Sequence, residues 1–490
     1  MSQAQPVTDR LHRVVVIGSG FGGLFAAKAL RKAPVQVTLI AKTNHHLFQP
    51  LLYQVATGIL SQGEIAPPTR EILKRHESTE VLLGEVTSID VDANRVHSRV
   101  GQLETITEYD SIIVAAGAGG SYFGHDEFEV FAPGLKSVDD ALELRGRILG
   151  AFEIAELSED PAEVESWMTF VVVGAGATGV EMAGQIRELS GRALRGDFRR
   201  INPTKTRVIL VDGGDNVLAA FGDKQSERAK TQLEKMNIEV KLQAMVTDVD
   251  ADSVTIKHQD GTVERIESKV KVWAAGVAAS PLAKQLGDQT AAEVDKTGRV
   301  CTLPDLTLPG HPEVFVIGDM ASLNNYPGVA QVAMQGGKYA AEQIRRRVEG
   351  DKDADAFNYF DKGSMATISR FKAVANVGKL RLSGFIAWLM WLFIHILYLV
   401  GFQQRVSTLG HWTVAFLGRG RAERTITTFQ TMATIDLVNA ARAAQANEDF
   451  SAANDNSAAD DDSAGLGIAP ERVDDPVAEP AHDVSPGSSP

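Results

Sequence analysis

Three features of the 490-residue sequence predict an α/β protein in which one Rossmann-like, doubly wound sheet is inserted into another, with a helical region at the C-terminal end. Short β-branched runs alternate with helical stretches as far as about residue 345, the pattern of parallel strands covered by helices. Two of these runs lead straight into glycine-rich turns, at 18–23 and 174–179, and each unit closes later with an Ala-Ala-Gly turn, at 115–117 and 274–276. The third feature is a return: Val314-Phe315-Val316-Ile317-Gly318-Asp319 follows the second unit and supplies what the first still lacks. The boundaries expected are a first dinucleotide-binding part at 12–165, an inserted unit at 166–290, the rest of the first at 291–350, a C-terminal region at 351–440 and an acidic tail at 441–490.

Met1 to His12 is polar, and Arg13-Val14-Val15-Val16-Ile17 follows at once, which leaves no room for a signal-peptide core and predicts a cytoplasmic start. Gly18-Ser19-Gly20-Phe21-Gly22-Gly23 then opens an Ala/Leu-rich helix, and a second strand is expected at Val35 to Ile40. Such glycines allow a tight turn, backbone approach to a pyrophosphate, and close helix-to-sheet packing; the helix N-terminus adds unpaired N–H groups for the phosphates. The competing reading is a purely structural turn. Its recurrence at Gly174-Ala175-Gly176-Ala177-Thr178-Gly179, again after a strand (Phe170 to Val173), argues against that.

The second strands separate the two copies. Thr206 to Val211 ends in Asp212, where a carboxylate can accept from a ribose diol and repel a 2′-phosphate, so NADH is favoured over NADPH; a simple cap of the Gly213-Gly214 turn is the alternative. The first copy has Ala41-Lys42 there, with no acid. Gly318-Asp319 is a second flavin-type signal, because a carboxylate at a strand end can accept from a ribityl hydroxyl.

Cys301 is the only cysteine, which excludes a disulfide framework, a four-cysteine zinc site and a redox-active cysteine pair. His45, His46, His395 and His411 lack carboxylates or thiols at ligand spacing, so structural histidines and no metal are expected. Residues 448–490 carry eleven acidic side chains against Arg472, so most of the net charge of −14 lies in the tail and the body is near neutral. No nucleic-acid surface is expected. Beyond Ala440 the Ala/Ser/Asp/Pro-rich chain lacks apolar periodicity and reads as disordered. The run Arg345-Arg346-Arg347 reads as a solvated helix end.

Phe385 to Phe402 is apolar for eighteen residues, about 27 Å as one helix against roughly 30 Å of hydrocarbon. Lys379 and Arg381 precede it. After Arg405, Val406, Leu409, Trp412 and Phe416 have amphipathic spacing before Arg419, Arg421 and Arg424. The expectation is an in-plane, monotopic anchor over about 385–425 with its arginines toward anionic lipid, rather than a spanning helix or a soluble core helix. Nothing earlier resembles a transmembrane bundle, so no proton-pumping path is expected.

Two nested dinucleotide folds, an Ala-Ala-Gly after each and a late Gly-Asp resemble the two-dinucleotide-binding-domain flavoproteins. Within them, Asn44-His45-His46-Leu47-Phe48-Gln49-Pro50-Leu51-Leu52-Tyr53-Gln54-Val55-Ala56, Gly174 to Glu181, and Ala330-Gln331-Val332-Ala333-Met334-Gln335 are similar to the type II NADH dehydrogenases, in their actinobacterial forms, over about residues 12 to 435. The resemblance implies non-covalent FAD in the outer unit and NADH in the inner one. Gly18, Gly20 and Gly23 would hold the FAD pyrophosphate, with Gly22, Gly117 and Gly276 also counted as cofactor-binding. Val86 would meet the adenine through its backbone and Asp319 the ribityl chain. Gly174, Gly176 and Gly179 would hold the NADH phosphates, and Glu181 would orient the nicotinamide. Gln331 and Gln335, four apart on one helix face, would bond the quinone; capping or solvating that helix is their alternative role.

The family has an acid where Ala41 stands. Lys42 is expected to substitute by donating to ribose or phosphate oxygens, with roughly 1 to 3 kcal/mol of FAD affinity lost. The implied reaction passes a hydride from NADH to flavin and two electrons on to a membrane quinone, menaquinone or ubiquinone, without proton pumping. Positioning alone would account for most of the catalysis. A homodimer on the bilayer surface, at the cytoplasmic face of the inner (plasma) membrane, is the further implication. A soluble NAD(P)H-dependent flavin reductase of the ferredoxin-reductase type and a non-catalytic redox-sensing flavoprotein stay open. Glutathione-reductase-like and sulfide:quinone chemistry needs more than one catalytic cysteine.

Overall fold

Val14, Val15, Val16 and Ile17 are apolar on both faces of one strand, a pattern that only a sheet covered on both sides can bury. In the structure, a computed structural model that describes residues 10–351, 355–433, 435–436 and 439–440, all four are buried at the centre of a six-stranded sheet. Its order is Thr307–Leu308, His311–Val316, Ser111–Val114, His12–Ile17, Val35–Ala41, Thr79–Leu83, parallel throughout except for the edge pair Thr307–Leu308 with His311–Val316. The chain leaves His12–Ile17 toward Val35–Ala41 on one side and returns as Ser111–Val114 on the other. A crevice therefore opens at the carboxyl end of the first strand, where Gly18 stands.

The inserted sheet repeats the plan with four parallel strands, Ile238–Lys241, Arg207–Val211, Thr169–Val173 and Val270–Trp273. The two Ala-Ala-Gly turns continue into short strands, Ala118–Gly120 and Val277–Ala279, which pair antiparallel and fasten together the two crossings between the units. Each unit also carries a three-stranded antiparallel sheet, Glu85–Asp90 to Leu103–Glu108 in the outer and Ala244–Val249 to Val263–Glu267 in the inner.

Residues 351–440, read from sequence as a helical region, contain a three-stranded antiparallel sheet as well: Ser364–Ser369, Lys372–Val377 and Leu380–Gly384. The eighteen apolar residues that follow are not one helix. Phe385–Tyr398 ends after 14 residues, Leu399 is extended, and Gly401 turns the chain at φ +98° into a second helix, Phe402–Leu417. Fourteen residues reach about 21 Å, well short of a hydrocarbon core. Among the described residues no helix is long and apolar enough to cross a membrane.

The two helices pack through Trp388, Trp391, Trp412 and Phe416, all buried and in ring contact. Val406 and Leu409, which the sequence spacing groups with Trp412 and Phe416, are instead exposed. The described residues from 10 to 436 belong to one compact unit, and the predicted acidic tail, 441–490, lies outside the described residues.

Candidate active site

Both glycine turns leave the carboxyl end of a central strand and enter a helix, Phe21–Ala29 in the outer sheet and Ala177–Glu188 in the inner one. Gly18 and Gly174 adopt φ of +97° and +101°, and a Cβ on either would press into the Ala115 or Ala274 turn of the neighbouring strand. A Cβ on Gly23 or Gly179 would collide with the carbonyl of Gly18 or Gly174, so the helix lies this close to its strand only through glycine. Gly20 and Gly176 have open space in that direction, beside the unpaired N–H groups of the helix start. A Cβ on Gly22 would meet Ile317 Cδ1 at 3.0 Å, so this glycine also packs against the strand that leads to Asp319. Gly117 borders open space, whereas Gly276 is confined by the Ser121 carbonyl at 2.6 Å from its would-be Cβ.

The strand registers place Ala41 and Asp212 at equivalent points, since Ile17 pairs with Ile40 and Val173 with Val211. Asp212 Oδ2 accepts from the Ala175 N–H at 2.6 Å, and Oδ1 from Gly214 N–H at 2.7 Å. The carboxylate thus braces the second glycine turn and caps the following one, and each oxygen keeps a lone pair for a ribose hydroxyl. With alanine at position 41 the first turn is braced otherwise: Ser19 Oγ donates to His45 O at 2.8 Å, and the buried His46 donates from Nδ1 to Ser19 O at 2.8 Å. Burial holds His46 near pKa 4, so it stays neutral. Lys42 Nζ is taken by Glu85 Oε1 at 3.2 Å, next to Val86, with both charged side chains more than half exposed. That pairing competes with the ribose or phosphate role expected of Lys42.

Asp319 sits on the turn Gly318–Met320 at the carboxyl end of His311–Val316. Its half-buried carboxylate makes no hydrogen bond among the described residues. Burial raises its pKa, opposed by Lys136 and Arg299. An acceptor left unused in a partly dry crevice, opposite an open glycine cradle, fits the hydroxyls of a ribityl chain and the pyrophosphate of FAD.

Glu181 lies on the first turns of Ala177–Glu188 and is buried. Its Oε1 accepts from the backbone N–H of Thr367 at 3.1 Å and from Thr367 Oγ1 at 3.4 Å. Burial outweighs these bonds and pushes its pKa up to about 8, so it is largely protonated at neutral pH. The hydrogen bonds continue in one direction. Tyr53 OH meets Thr367 Oγ1 at 2.9 Å, Gln54 Nε2 donates to Tyr53 OH at 3.1 Å, and Trp412 Nε1 donates to Gln54 Oε1 at 2.7 Å. Tyr53, Thr367 and Trp412 were not among the residues singled out as a site. Tyr53 stands inside a quoted motif, but Thr367 is 314 residues from it and gives no signal in sequence.

Gln331 and Gln335 share one face of the helix Ala330–Val348, as their spacing predicts. Both amides clamp the backbone of residues 360–363. Gln331 donates to Gly363 O at 2.7 Å and accepts from Lys362 N–H at 3.0 Å; Gln335 donates to and accepts from Phe360, at 3.0 Å each. Each amide nitrogen keeps one further N–H. Lys362 Nζ in turn donates to Tyr398 OH at 2.9 Å, which ties the clamped segment to the apolar helix Phe385–Tyr398.

That helix presents Ile386, Leu389, Phe393 and Leu397 to solvent, the second presents Phe402, Val406, Leu409 and Leu417, and Phe393 is 67% exposed. Beneath this face, Glu64 Oε1 accepts from Ser407 Oγ at 2.7 Å and lies 2.6 Å from His411 Nδ1. Arg421, expected to face lipid, is buried instead and donates to Thr57 O at 2.5 Å and to Gln185 Oε1 at 3.0 Å. Arg424 pairs with Asp197 at 2.5 Å; of the three arginines only Arg419 is exposed without an ion pair among the described residues. His395 donates from Nδ1 to Trp391 O, 2.7 Å away, in the buried seam.

Residues 12–337 match the family described as pyridine nucleotide-disulphide oxidoreductase. The chain is 57% identical over 432 residues to the type II NADH:quinone oxidoreductase Ndh of Mycobacterium tuberculosis, covering 88% of this chain and 93% of that protein. It is 58% identical to NdhA of the same organism, covering 85% and 89%. This chain belongs to the type II NADH:quinone oxidoreductases. Among solved structures, NDH2 from Plasmodium falciparum in complex with NADH superposes with a TM-score of 0.77 at 20% identity, over 84% of this chain and 99% of that one. The sulfide:quinone oxidoreductase of Aquifex aeolicus shares the fold at a TM-score of 0.64 and 18% identity, over 83% of this chain and 95% of that one. A type II NADH:quinone oxidoreductase uses FAD and NADH, acts on a quinone and is membrane-associated, and the two cradles with Asp212 and Asp319 are the parts of this chain suited to the two nucleotides.

Proposed function

We propose that this chain oxidises NADH at the inner cradle and reduces a membrane quinone beside the glutamine helix, without coupled proton pumping. The observation that carries the reading is the pairing of two glycine cradles at the carboxyl ends of two nested parallel sheets, one beside the doubly bonded Asp212 and one opposite the unengaged Asp319. Held there, FAD would supply the two-electron redox chemistry that links NADH oxidation to quinone reduction.

The chain's own residues hold and orient. Gly18, Gly20 and Gly23 admit the FAD pyrophosphate, Asp319 accepts from the ribityl chain, and Val86 lies beside the adenine end. Gly174, Gly176 and Gly179 admit the NADH phosphates, and Asp212 accepts from the ribose diol and repels a 2′-phosphate. Glu181, protonated and fixed by Thr367, offers a hydroxyl toward the nicotinamide carboxamide. The clamped Gln331 and Gln335 each offer a remaining N–H to a quinone carbonyl arriving along the exposed faces of the last two helices. Those faces support in-plane association with the cytoplasmic leaflet and a homodimer.

Purification from membranes in detergent tests the reading. A visible flavin spectrum that bleaches with NADH and recovers on adding a short-chain quinone is expected, with NADPH much less effective. A colourless protein that cannot be reconstituted with FAD overturns it, and recovery in the soluble fraction overturns the membrane part alone.

A further inference from the structure

A groove of about 400 Å³ lies between the helix Asp223–Glu234 of the inner unit and the C-terminal sheet. The buried Gln225 ties the helix to the sheet, its amide donating to Leu382 O at 2.8 Å and Ala375 O at 3.2 Å. Lys224 and Arg228 line it from the helix and Lys372 from the sheet, with Ser383 and Gly384 at one end. None of these cations makes an ion pair among the described residues, and Arg228 donates only to the neutral Gln225 Oε1 at 3.1 Å. One carboxylate, Glu227, shares the wall and leaves two net positive charges.

Ser383 and Gly384 run directly into Phe385 and Ile386, the exposed start of the apolar helix. Lys379, in the turn before the strand Leu380–Gly384, and Arg381 on it are both exposed. Unpaired cations in a concavity that continues into an exposed apolar helix match an amphiphile: a negative head and an aliphatic tail.

We propose that this groove binds the phosphate headgroup of an anionic phospholipid, with its acyl chains lying along the exposed face of Phe385–Tyr398. The inference rests on the membrane association proposed above and adds to it a defined lipid site. Unlike the buried Arg421, the three groove cations are placed to meet a headgroup at the edge of the apolar face.

The test is flotation of the full-length, FAD-loaded protein with phosphatidylcholine vesicles, with and without phosphatidylglycerol. Wild type is expected to bind both and to prefer the anionic ones. Lys224→Gln, Arg228→Gln and Lys372→Gln should each lower the anionic preference about fivefold, Glu227→Gln should raise it, and all four should keep NADH oxidation with a short-chain quinone in detergent. A preference unchanged in the three cation variants overturns the site. Inorganic phosphate at constant ionic strength should compete for the groove and lower the preference in wild type but not in the cation variants; a change of oligomeric state in the variants overturns the site, because it assigns the groove to a second copy of the chain. Failure of wild type to bind even neutral vesicles would instead strike the membrane reading itself, and equal binding to both vesicles only this inference.

Discussion

Trp412 donates its indole N–H to Gln54 Oε1 at 2.7 Å with both side chains buried, so the second apolar helix is keyed to the FAD unit by a polar bond beneath its apolar contacts. Replacing Trp412 by Phe keeps most of the ring contacts and leaves the Gln54 oxygen buried without its donor. A destabilisation of about 1 to 3 kcal/mol is expected in urea unfolding. Trp412→Phe together with Gln54→Leu, which removes both partners, should cost less than the sum of the single changes; strict additivity would mean that the bond contributes nothing.

Gln335→Leu removes the bonds to both the N–H and the carbonyl of Phe360, and with them the clamp on residues 360–363. Quinone turnover is expected to fall about tenfold, the equivalent of two neutral hydrogen bonds, while rapid reduction of the flavin by NADH changes little. Stopped-flow measurement of the two half-reactions separates them. Equal loss in both would remove Gln335 from the quinone side.

Much of this site is legible in the sequence because its parts are local. A β-branched strand, a glycine turn and a terminal acid lie within a few residues of one another in the runs ending at Gly179, Asp212 and Asp319, and each carries its own physical constraint. Other parts depend on which face a residue turns to. Phe385 to Phe402 reads as one helix because hydropathy does not register the positive φ of Gly401. Arg421 reads as lipid-facing because a charge does not announce that two carbonyls and an amide await it inside. The strands at 364–384, rich in Ser, Ala and Gly, lack the β-branched runs that mark the central sheets. The chain from Glu181 through Thr367 to Tyr53 joins residues 186 and 314 positions apart, a relationship that only the folded chain creates.

Asp212→Asn should shift the nucleotide preference. The amide oxygen can keep one of the two backbone bonds, to Ala175 or Gly214, but the negative charge that repels a 2′-phosphate is gone. The ratio of kcat/KM for NADH over NADPH is expected to fall about tenfold, which corresponds to about 1.4 kcal/mol. An unchanged ratio would reduce Asp212 to a brace for the turn.

Ala41 occupies the register position of Asp212 in the outer sheet. Ala41→Asp would set a carboxylate beside the Ser19 N–H and within reach of the adenosine ribose, and FAD should be held more tightly by roughly 1 to 3 kcal/mol. Flavin retention on dilution checks this, and an equal or weaker hold in the variant overturns it.

Glu181 makes stability depend on pH with a definite sign. Its carboxyl titrates at about 8 in the folded protein against an ordinary value of 4.5, so between those limits the folded form keeps a proton that the unfolded chain has released. Stability from this group is therefore full below about pH 4.5, declines as pH rises toward about 8, and is level above that. Glu181→Gln removes the titration and keeps an oxygen to accept from the Thr367 N–H. The variant should gain on wild type as pH rises through this window, by several kcal/mol at most, since one pKa unit is worth about 1.4 kcal/mol. Urea midpoints measured from about pH 5 to about pH 9 give the comparison. Parallel curves for the two proteins would mean that Glu181 is ionised in the folded state, and the hydroxyl it is proposed to offer the nicotinamide would not exist at neutral pH.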